Sequence, residues 1–298
     1  MLLLSLLWLI GCDLKEEPSD VSFTENQKVD SLFLLGKAQG TLTNPLLEEV
    51  SGLVLSQRYP NRMYLHTDSG GEAAVYVIDT LGNELGKIDL PGIKNRDWED
   101  MALGQGPNGT TYLYLADVGD NDGKYDEIYL LRFPEPELLQ PVSSSNIEQA
   151  VLNYVGGPRD AETLLADPLS GDLFLVSKRE SKSALYQVPL SAFQGVKQSL
   201  QKIHEFDFTG AVGGDVSKDG SQVLIKTYFQ VFYWSRDLGE TLLQALQRPA
   251  IRLPYTPEPQ GEAIGFNRYG NAYFSLSEKR NGVLPVLYRY AKNELYKK

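Results

Sequence analysis

Short apolar runs, separated by turns rich in glycine, proline, asparagine and aspartate, make up most of the chain. Five of these runs begin beside a small or acidic residue, at Ser51, Glu99, Glu162, Asp215 and Glu262. The five positions recur at steps of roughly 50–60 residues, a period typical of propeller blades. Further strand-like runs with turn punctuation follow each of them, as in all-β domains. The pattern therefore predicts an all-β fold, a β-propeller whose inner strands begin at these positions.

Five such positions favour five blades. Six blades are the alternative, because the long step from Glu99 to Glu162 has room for a degenerate blade. The last blade has no outer strand before the chain ends, whereas Ser31–Leu42 is strand-like and has no blade of its own. We expect Ser31–Leu42 to complete the last blade and close the ring, since closure removes exposed sheet edges.

Blade four fits the repeat less well than the others. Its turn at Lys218-Asp219-Gly220, aligned with the corresponding turn of blade five, places Val212 rather than Asp215 opposite Glu262. The sequence leaves both alignments open. The role of Asp215 therefore depends on which alignment is right.

The N-terminus resembles a bacterial lipoprotein signal. Residues 1–11 are mostly apolar and lead to Leu9-Ile10-Gly11-Cys12, which resembles a lipobox. A run of this length is typical of a signal segment and is too short to span a bilayer. The resemblance implies cleavage before Cys12 and acylation of its thiol, and hence a lipid anchor in a bacterial cell envelope, facing the periplasm or the cell surface.

Three segments follow from this interpretation: a signal peptide over residues 1–11, a flexible acidic tether over residues 12–30, and one propeller domain over residues 31–298. The tether is charged and poor in apolar residues, so it has little to bury. Cys12 is the single cysteine of the chain, which excludes disulfide bonds within the chain and clusters of thiolate ligands.

Charge narrows the classes of ligand. The formal net charge is −11 and the chain has no basic run, which argues against nucleic acid as a partner. An excess of carboxylates favours hard cations or cationic partners. Only two histidines are present, so a zinc site built from histidines is not expected.

The starts of the inner strands form a candidate metal site. In a propeller they lie at one rim of the central channel, which would bring together Ser51, Glu99, Glu162, Asp215 and Glu262. Crowded carboxylates raise one another's pKa and need a neutralising cation. Calcium is the candidate, since it accepts six to eight oxygen ligands in flexible geometry. The alternative is that these side chains bond to backbone amides and hold the blades together.

A second ring of polar residues follows the returning strands and is predicted to line the mouth of the channel. The candidate binding residues in it are Asp68, Asp120, Asn121, Lys178, Arg179, Tyr228 and Glu278. His66, close to Asp68, is a candidate general base, and Asp68 is a second candidate for a catalytic role. A structural role for this histidine at a strand end is the alternative. The segment Gly119–Gly123 lacks the ligand spacing of an EF-hand loop, so we expect a tight polar turn there.

Several motifs also resemble a family of secreted bacterial β-propellers of unknown function. They are NRDWEDMA, DVGDN, DAETLL and QGEAI, and the resemblance covers most of Ser51–Lys279. In spacing the chain is also similar to calcium-activated apyrases, which are five-bladed propellers. That similarity implies a central calcium ion held by serine and glutamate residues, with Ser51, Glu99, Glu162 and Glu262 at comparable steps.

Two functions are compatible with these features. The first is a lipid-anchored module that binds a small molecule or a cell-envelope partner, with a structural calcium ion in the channel. The second is a calcium-dependent hydrolase of a phosphate or lactone ester, in which the ion would polarise the substrate. The sequence contains no nucleophile motif, which favours the binding module. Fold alone cannot choose, because propellers support both kinds of activity.

Overall fold

Five small sheets surround a central channel in the computed structural model, which describes residues 29–296. The first strand of each sheet packs against the first strands of the two neighbouring sheets. Within residues 29–296 the fold is therefore a five-bladed β-propeller. This confirms the predicted class and blade number and excludes a sixth blade there. Cys12 and the proposed signal segment lie outside the described residues.

The strands follow the blade order along the chain. The first, β1 (Lys37–Thr41), precedes blade one. Blade one contains β2 (Val50–Leu55), β3 (Met63–Thr67), β4 (Ala74–Ile78) and β5 (Glu84–Asp89), and blade two contains β6 (Trp98–Gln105), β7 (Thr111–Asp117), β8 (Ile128–Pro134) and β9 (Glu148–Tyr154). Blade three contains β10 (Ala161–Ala166), β11 (Leu173–Ser177) and β12 (Ala184–Val188); β13 (Gln198–Leu200) then joins blade two, and β14 (Lys202–Glu205) completes blade three.

The last two blades follow the same order. Blade four contains β15 (Ala211–Val216), β16 (Gln222–Thr227), β17 (Val231–Ser235) and β18 (Ile251–Leu253), and blade five contains β19 (Gly261–Phe266), β20 (Ala272–Ser277) and β21 (Val286–Ala291). A short helix, α1 (Leu242–Leu246), lies between β17 and β18. Short 3-10 turns cover Pro45–Leu47, Pro107–Gly109, Ser144–Asn146 and Leu190–Gln194. None of the described helices has the length and apolarity that a membrane crossing requires.

The N-terminal strand closes the ring, as predicted. Strand β1 pairs antiparallel with β21, from Lys37 opposite Arg289 to Thr41 opposite Val286. The pairing occupies the outer edge of blade five, which would otherwise be exposed. It is shorter than the predicted segment Ser31–Leu42, and Phe33 adds an isolated bridge to Lys292.

The hairpin between the first two strands of each blade turns at one residue in the left-handed region. These residues are Asn61, Gly109, Gly171, Gly220 and Gly270, with φ values of 61°, 71°, 80°, 74° and 63°. Glycine and asparagine tolerate this conformation best. The repeated turn chemistry of the sequence therefore places the hairpins correctly in all five blades.

The apolar core is divided among the interfaces between blades. Five separate clusters of buried side chains each join two neighbouring sheets. The inner strands are buried along their length, β2, β10, β15 and β19 at every position. Burial on both faces explains why these segments read as continuous apolar runs rather than as alternating strands. Trp98 lies in the cluster between blades one and two.

Each inner strand carries a register shift near its start. The shift brackets one unpaired residue in every blade, and these residues are Ser51, Glu99, Glu162, Val212 and Glu262. A β-bulge turns the unpaired side chain away from the regular pleat. The alignment that placed Val212 opposite Glu262 is therefore correct, and Asp215 lies three residues further along β15.

The sequence did not predict the outer strands of blades three and four. Residues 191–202 contain most of a 3-10 turn and β13, and residues 240–248 contain α1. Strand β13 pairs in parallel with β9 as a fifth strand of blade two. These outer strands are only three or four residues long, too short to show a period.

Candidate functional site

Carboxylates from three blades crowd one side of the channel mouth. Two groups of three have ligand oxygens that all lie within 4.8 Å of one another: Asp68, Asp97 and Glu99 form the first triad, and Glu99, Asp160 and Glu162 form the second triad. Asp68 follows β3, and the others lie at the starts of β6 and β10. Such groups of oxygen ligands can hold a metal ion.

Two of these candidate ligands, Asp97 and Asp160, are not among the site residues predicted from the sequence. Each stands two residues before a bulged glutamate, in the repeated pattern Arg-Asp-x-Glu at residues 96–99 and 159–162. This repeat was available in the sequence. Side chains two residues apart point to the same face of a regular strand. The bulge changes the direction of the glutamate, so the repeat alone did not show which of these side chains face the mouth.

Neighbouring groups fix Asp160 in place. Its Oδ1 atom accepts a hydrogen bond of 2.9 Å from the backbone amide of Asp120, and its Oδ2 atom lies 2.5 Å from Nε of Arg179. Asp120 in turn uses both carboxylate oxygens to accept the amides of Lys124 and Tyr125, each at 2.8 Å. Asp120 therefore forms the predicted tight polar turn and supports Asp160 through its backbone.

Burial and mutual repulsion disfavour negative charge in both triads. Burial, followed by the charges of Asp68 and Asp160, raises the pKa of Asp97 to about 6. Burial also raises the pKa of Glu99 and that of Glu162 well above their usual range, and neighbouring carboxylates add to both shifts. A divalent cation would relieve this repulsion, since it favours the ionised form of every ligand.

The chain provides one internal cation at the site. Nζ of Lys178, which follows β11, lies 2.5 Å from Oε1 of Glu162 and donates a 2.8 Å hydrogen bond to the hydroxyl of Tyr228. That hydroxyl donates a 2.9 Å hydrogen bond to Glu262. Lys178 and Tyr228 thus bridge the blade-four position of the rim, where Val212 has no polar group.

Glu278 follows β20 in blade five, the blade that adjoins blade one. Its side chain is buried, and its Oε1 atom has no hydrogen-bond partner among residues 29–296. Burial, with the charges of Glu262 and Asp68, raises the pKa of Glu278 to about 10. Burial and these neighbours therefore favour the protonated form of Glu278, which could donate a hydrogen bond beside Glu262.

Ser51 and Asp215 have structural roles in the ring of inner strands. Oγ of Ser51 donates a 2.7 Å hydrogen bond to the carbonyl of Glu99 in the next blade. The carboxylate of Asp215 accepts the amides of Val216, at 2.8 Å, and of Phe266 in blade five, at 2.7 Å. The predicted five-residue metal set thus divides: these two residues link blades, while the glutamates face the mouth.

The remaining binding candidates lie at the exposed edge of the site. Asn121 is exposed and accepts a hydrogen bond from Nη2 of Arg179 through Oδ1. The Arg179 side chain is 45% exposed even though its Nε atom is bonded to Asp160. This edge gives the carboxylate cluster a cationic border open to solvent.

His66 is enclosed by the protein. It is fully buried, its ring packs edge-on against Trp98 at 5.9 Å between centroids, and its Nε2 atom has no hydrogen-bond partner in the described part of the chain. A Cβ atom on Gly52 would lie 2.1 Å from that nitrogen, so the histidine fills the space beside the glycine. Burial lowers the pKa of His66 to about 4, and the geometry favours the structural alternative over the general base.

The fold and the site together define a five-bladed β-propeller with a carboxylate-lined channel mouth. No protein-family model matches the chain, and no curated protein shows significant similarity to it. What the site can do follows from its chemistry: it can bind hard cations through carboxylate oxygens and present Lys178, Arg179 and Tyr228 to a ligand beside them.

Proposed function

We propose that the protein is a ligand-binding module of the bacterial cell envelope, anchored through acylated Cys12, with a divalent cation at the mouth of its propeller. The observation that carries this proposal is the crowding of carboxylate oxygens in the two triads. Calcium is the proposed ion, because it tolerates irregular sets of oxygen ligands. The ion would order the rim against which the ligand or partner docks.

The orphaned oxygen of Glu162 supports a bound cation. Glu162 is 3% exposed, and its Oε2 atom has no hydrogen-bond partner in the described residues. A buried carboxylate oxygen without a partner is costly. An ion at the second triad would satisfy that oxygen, while Lys178 holds the other.

The N-terminal resemblance supports the location. The lipobox-like residues before Cys12 and the similarity to secreted bacterial propellers both indicate an extracytoplasmic protein. Extracellular calcium modules bind the ion with Kd values of about 10⁻⁴–10⁻³ M, and we expect an affinity in that range here. The proposed anchor would therefore hold the calcium-binding mouth outside the cytoplasm.

The first experiment compares thermal melts of the protein after EDTA treatment and after addition of calcium. We expect calcium to raise the melting temperature, because binding to the native state stabilises it by mass action, by about 2.7 kcal/mol at a hundredfold excess over Kd. Glu162→Gln removes a ligand of the second triad and should make the rise smaller. Glu137→Gln removes an exposed carboxylate away from the mouth and should leave the rise intact.

Absence of any shift, together with no metal in the purified protein, would overturn the proposal and leave the carboxylates as a network between blades. The alternative function, a calcium-dependent hydrolase of phosphate or lactone esters, predicts turnover in an ester and phosphoester panel with calcium present. The burial of His66 leaves a carboxylate such as Asp68 as the candidate base of that mechanism. With one of its two candidate bases enclosed, hydrolysis has less support in the geometry than binding has.

A further inference from the structure

The two triads share one residue. Glu99 belongs both to the first triad, with Asp68 and Asp97, and to the second triad, with Asp160 and Glu162. Its position on the bulge of β6, between the mouth of blade one and the start of blade three, allows one carboxylate to face both groups. A carboxylate with two oxygens can bridge two cations, one on each side.

Glu99 has the environment of a bridging ligand. It is 3% exposed, and no hydrogen bond reaches its carboxylate from the described residues. A Cβ atom on Gly119 would lie 2.1 Å from Oε1 of Glu99 and 2.6 Å from Cγ of Asp97. Glycine thus lets the loop after β7 close over both carboxylates without filling the space beside them.

The second triad has its own unsatisfied group. Oε2 of Glu162 is buried and has no partner within residues 29–296, although Oε1 is bonded to Lys178. The second triad therefore contains a buried carboxylate oxygen without a partner. Glu99, which both triads share, is 3% exposed and extends the same arrangement of carboxylates to the first triad.

We propose that the mouth holds two divalent cations bridged by Glu99, and that the loaded pair binds the phosphate group of a ligand. This inference rests on the proposed function, which requires only one cation. It specifies the second cation and the chemical class of the ligand.

Charge explains why two cations are needed. The triads contain five carboxylates, and the cationic side chains beside them are Lys178 and Arg179. With one divalent cation the ionised site is still net negative, so it repels anions. With two, the five triad carboxylates together with Lys178 and Arg179 become net positive, and paired divalent cations are suited to the oxygens of a phosphate group.

The cationic side chains retain donors for such a group. Lys178 has three N–H donors and uses two of them, toward Glu162 and Tyr228. Arg179 uses Nε toward Asp160 and Nη2 toward Asn121, and its planar guanidinium has further donors. Both lie beside the second triad, where they can bond to phosphate oxygens that the cations leave free.

The first test is the calcium stoichiometry of the EDTA-stripped full chain, measured by equilibrium dialysis. Two ions per chain are expected. One ion per chain would overturn the bridged pair and leave the proposed function standing, whereas none would overturn both. Loading with manganese provides a check without mutation: two ions bridged by one carboxylate couple magnetically, so the six-line spectrum of isolated manganese should lose intensity at full loading.

The variant Asp68→Asn removes a ligand of the first triad alone. We expect it to bind one calcium ion instead of two and to keep part of the rise in melting temperature, because the second triad still binds its ion. Asp126→Asn, which removes an exposed carboxylate outside both triads, is the matched control and should bind two ions. Two tightly bound ions in Asp68→Asn would contradict the assignment of the first triad.

The ligand class is tested with radiolabelled inorganic phosphate at micromolar concentration. Retention by the calcium-loaded protein should fall at least about tenfold in Asp68→Asn and after EDTA treatment, because one cation leaves the site negative. Acetate in large excess should not displace the phosphate. Equal retention with and without calcium, or displacement by acetate, would overturn the phosphate assignment.

Discussion

Glu99 and Asp100 are adjacent in the chain but have different roles. Asp100 accepts the backbone amides of Met101, at 2.8 Å, and of Leu164 in blade three, at 2.8 Å, and its Oδ2 atom also receives the amide of Gly214 in blade four at 3.3 Å. It thereby ties three blades together. The carboxylate of Glu99 accepts no such bond from the described residues and faces the mouth. The bulge at Glu99 separates a linking carboxylate from a binding one.

The raised pKa of Asp215 predicts that the free energy of unfolding depends on pH. Burial raises its pKa from the usual 3.8 to about 7, although two amides oppose the shift. Since the folded pKa lies above the unfolded one, its contribution to the free energy of unfolding is complete below pH 4 and is lost as the pH rises to 7. The loss amounts to about 4 kcal/mol over that window.

Asp215→Asn should flatten this part of the pH profile. The variant loses stability overall, because an amide side chain has one acceptor oxygen for two donors. The informative quantity is the slope of the free energy of unfolding against pH, which urea unfolding at intervals from pH 4 to pH 7 would measure. Asp237→Asn, at an exposed position, should keep the wild-type slope. An unchanged slope in Asp215→Asn would show that this carboxylate does not carry the titration.

At the scale of elements, the closure by β1 depends on a close backbone contact. A Cβ atom on Gly40 would lie 2.0 Å from the carbonyl oxygen of Leu81, in the turn between β4 and β5 of blade one. The register of β1 against β21 also shifts between Ala38 and Gly40. Glycine at position 40 therefore lets the closing strand of blade five pack against blade one.

Gly40→Ala should destabilise the propeller, because the clash is with backbone and cannot be relieved by a side-chain rotation. Overpacking of this kind costs about 1–3 kcal/mol, which urea unfolding would resolve. Thr41→Ala, on the same strand with an exposed side chain, is the control and should cost much less. Equal effects of the two substitutions would mean that the contact at Gly40 does not secure the closure.

At the scale of the whole molecule, the predicted lipid anchor at Cys12 would attach the propeller to a membrane of the bacterial cell envelope. With the chain produced in a bacterial host, we expect it to fractionate with membranes and to incorporate labelled palmitate. Cys12→Ser should leave the protein unlabelled and shift it to the soluble fraction, since one residue carries the acyl attachment. Its calcium-dependent melt should be unchanged, because Cys12 precedes the domain. Soluble, unlabelled wild-type protein would refute the anchor.

Most of the fold was predictable because the blade is a local unit. Inner strands buried on both faces gave continuous apolar runs, and each first hairpin needed a residue tolerant of positive φ, such as Asn61 or Gly220. The apolar run of an inner strand and the turn residue after it lie within a few residues of each other, so a short stretch of sequence contains both signals. The short outer strands β14 and β18 gave no such signal, because they depend on an edge supplied by the rest of their blade.

The site was predictable only in part. Its glutamates Glu99, Glu162 and Glu262 stood out because they interrupt apolar runs at the period of the blades. Asp97 and Asp160 were missed, since which neighbours converge depends on the bulges. The same bulges placed Val212 at the rim position of blade four.

Residue type and local spacing are enough to specify the repeat, the turns, the closing strand and the acidic character of the inner rim. Which carboxylates meet depends on the tertiary structure. Asp68 comes from blade one, Asp97 and Glu99 from blade two, and Asp160 and Glu162 from blade three. Closing the ring brings these distant segments together, and the bulges then set which side chains turn toward the mouth and which bond to the backbone of the next blade.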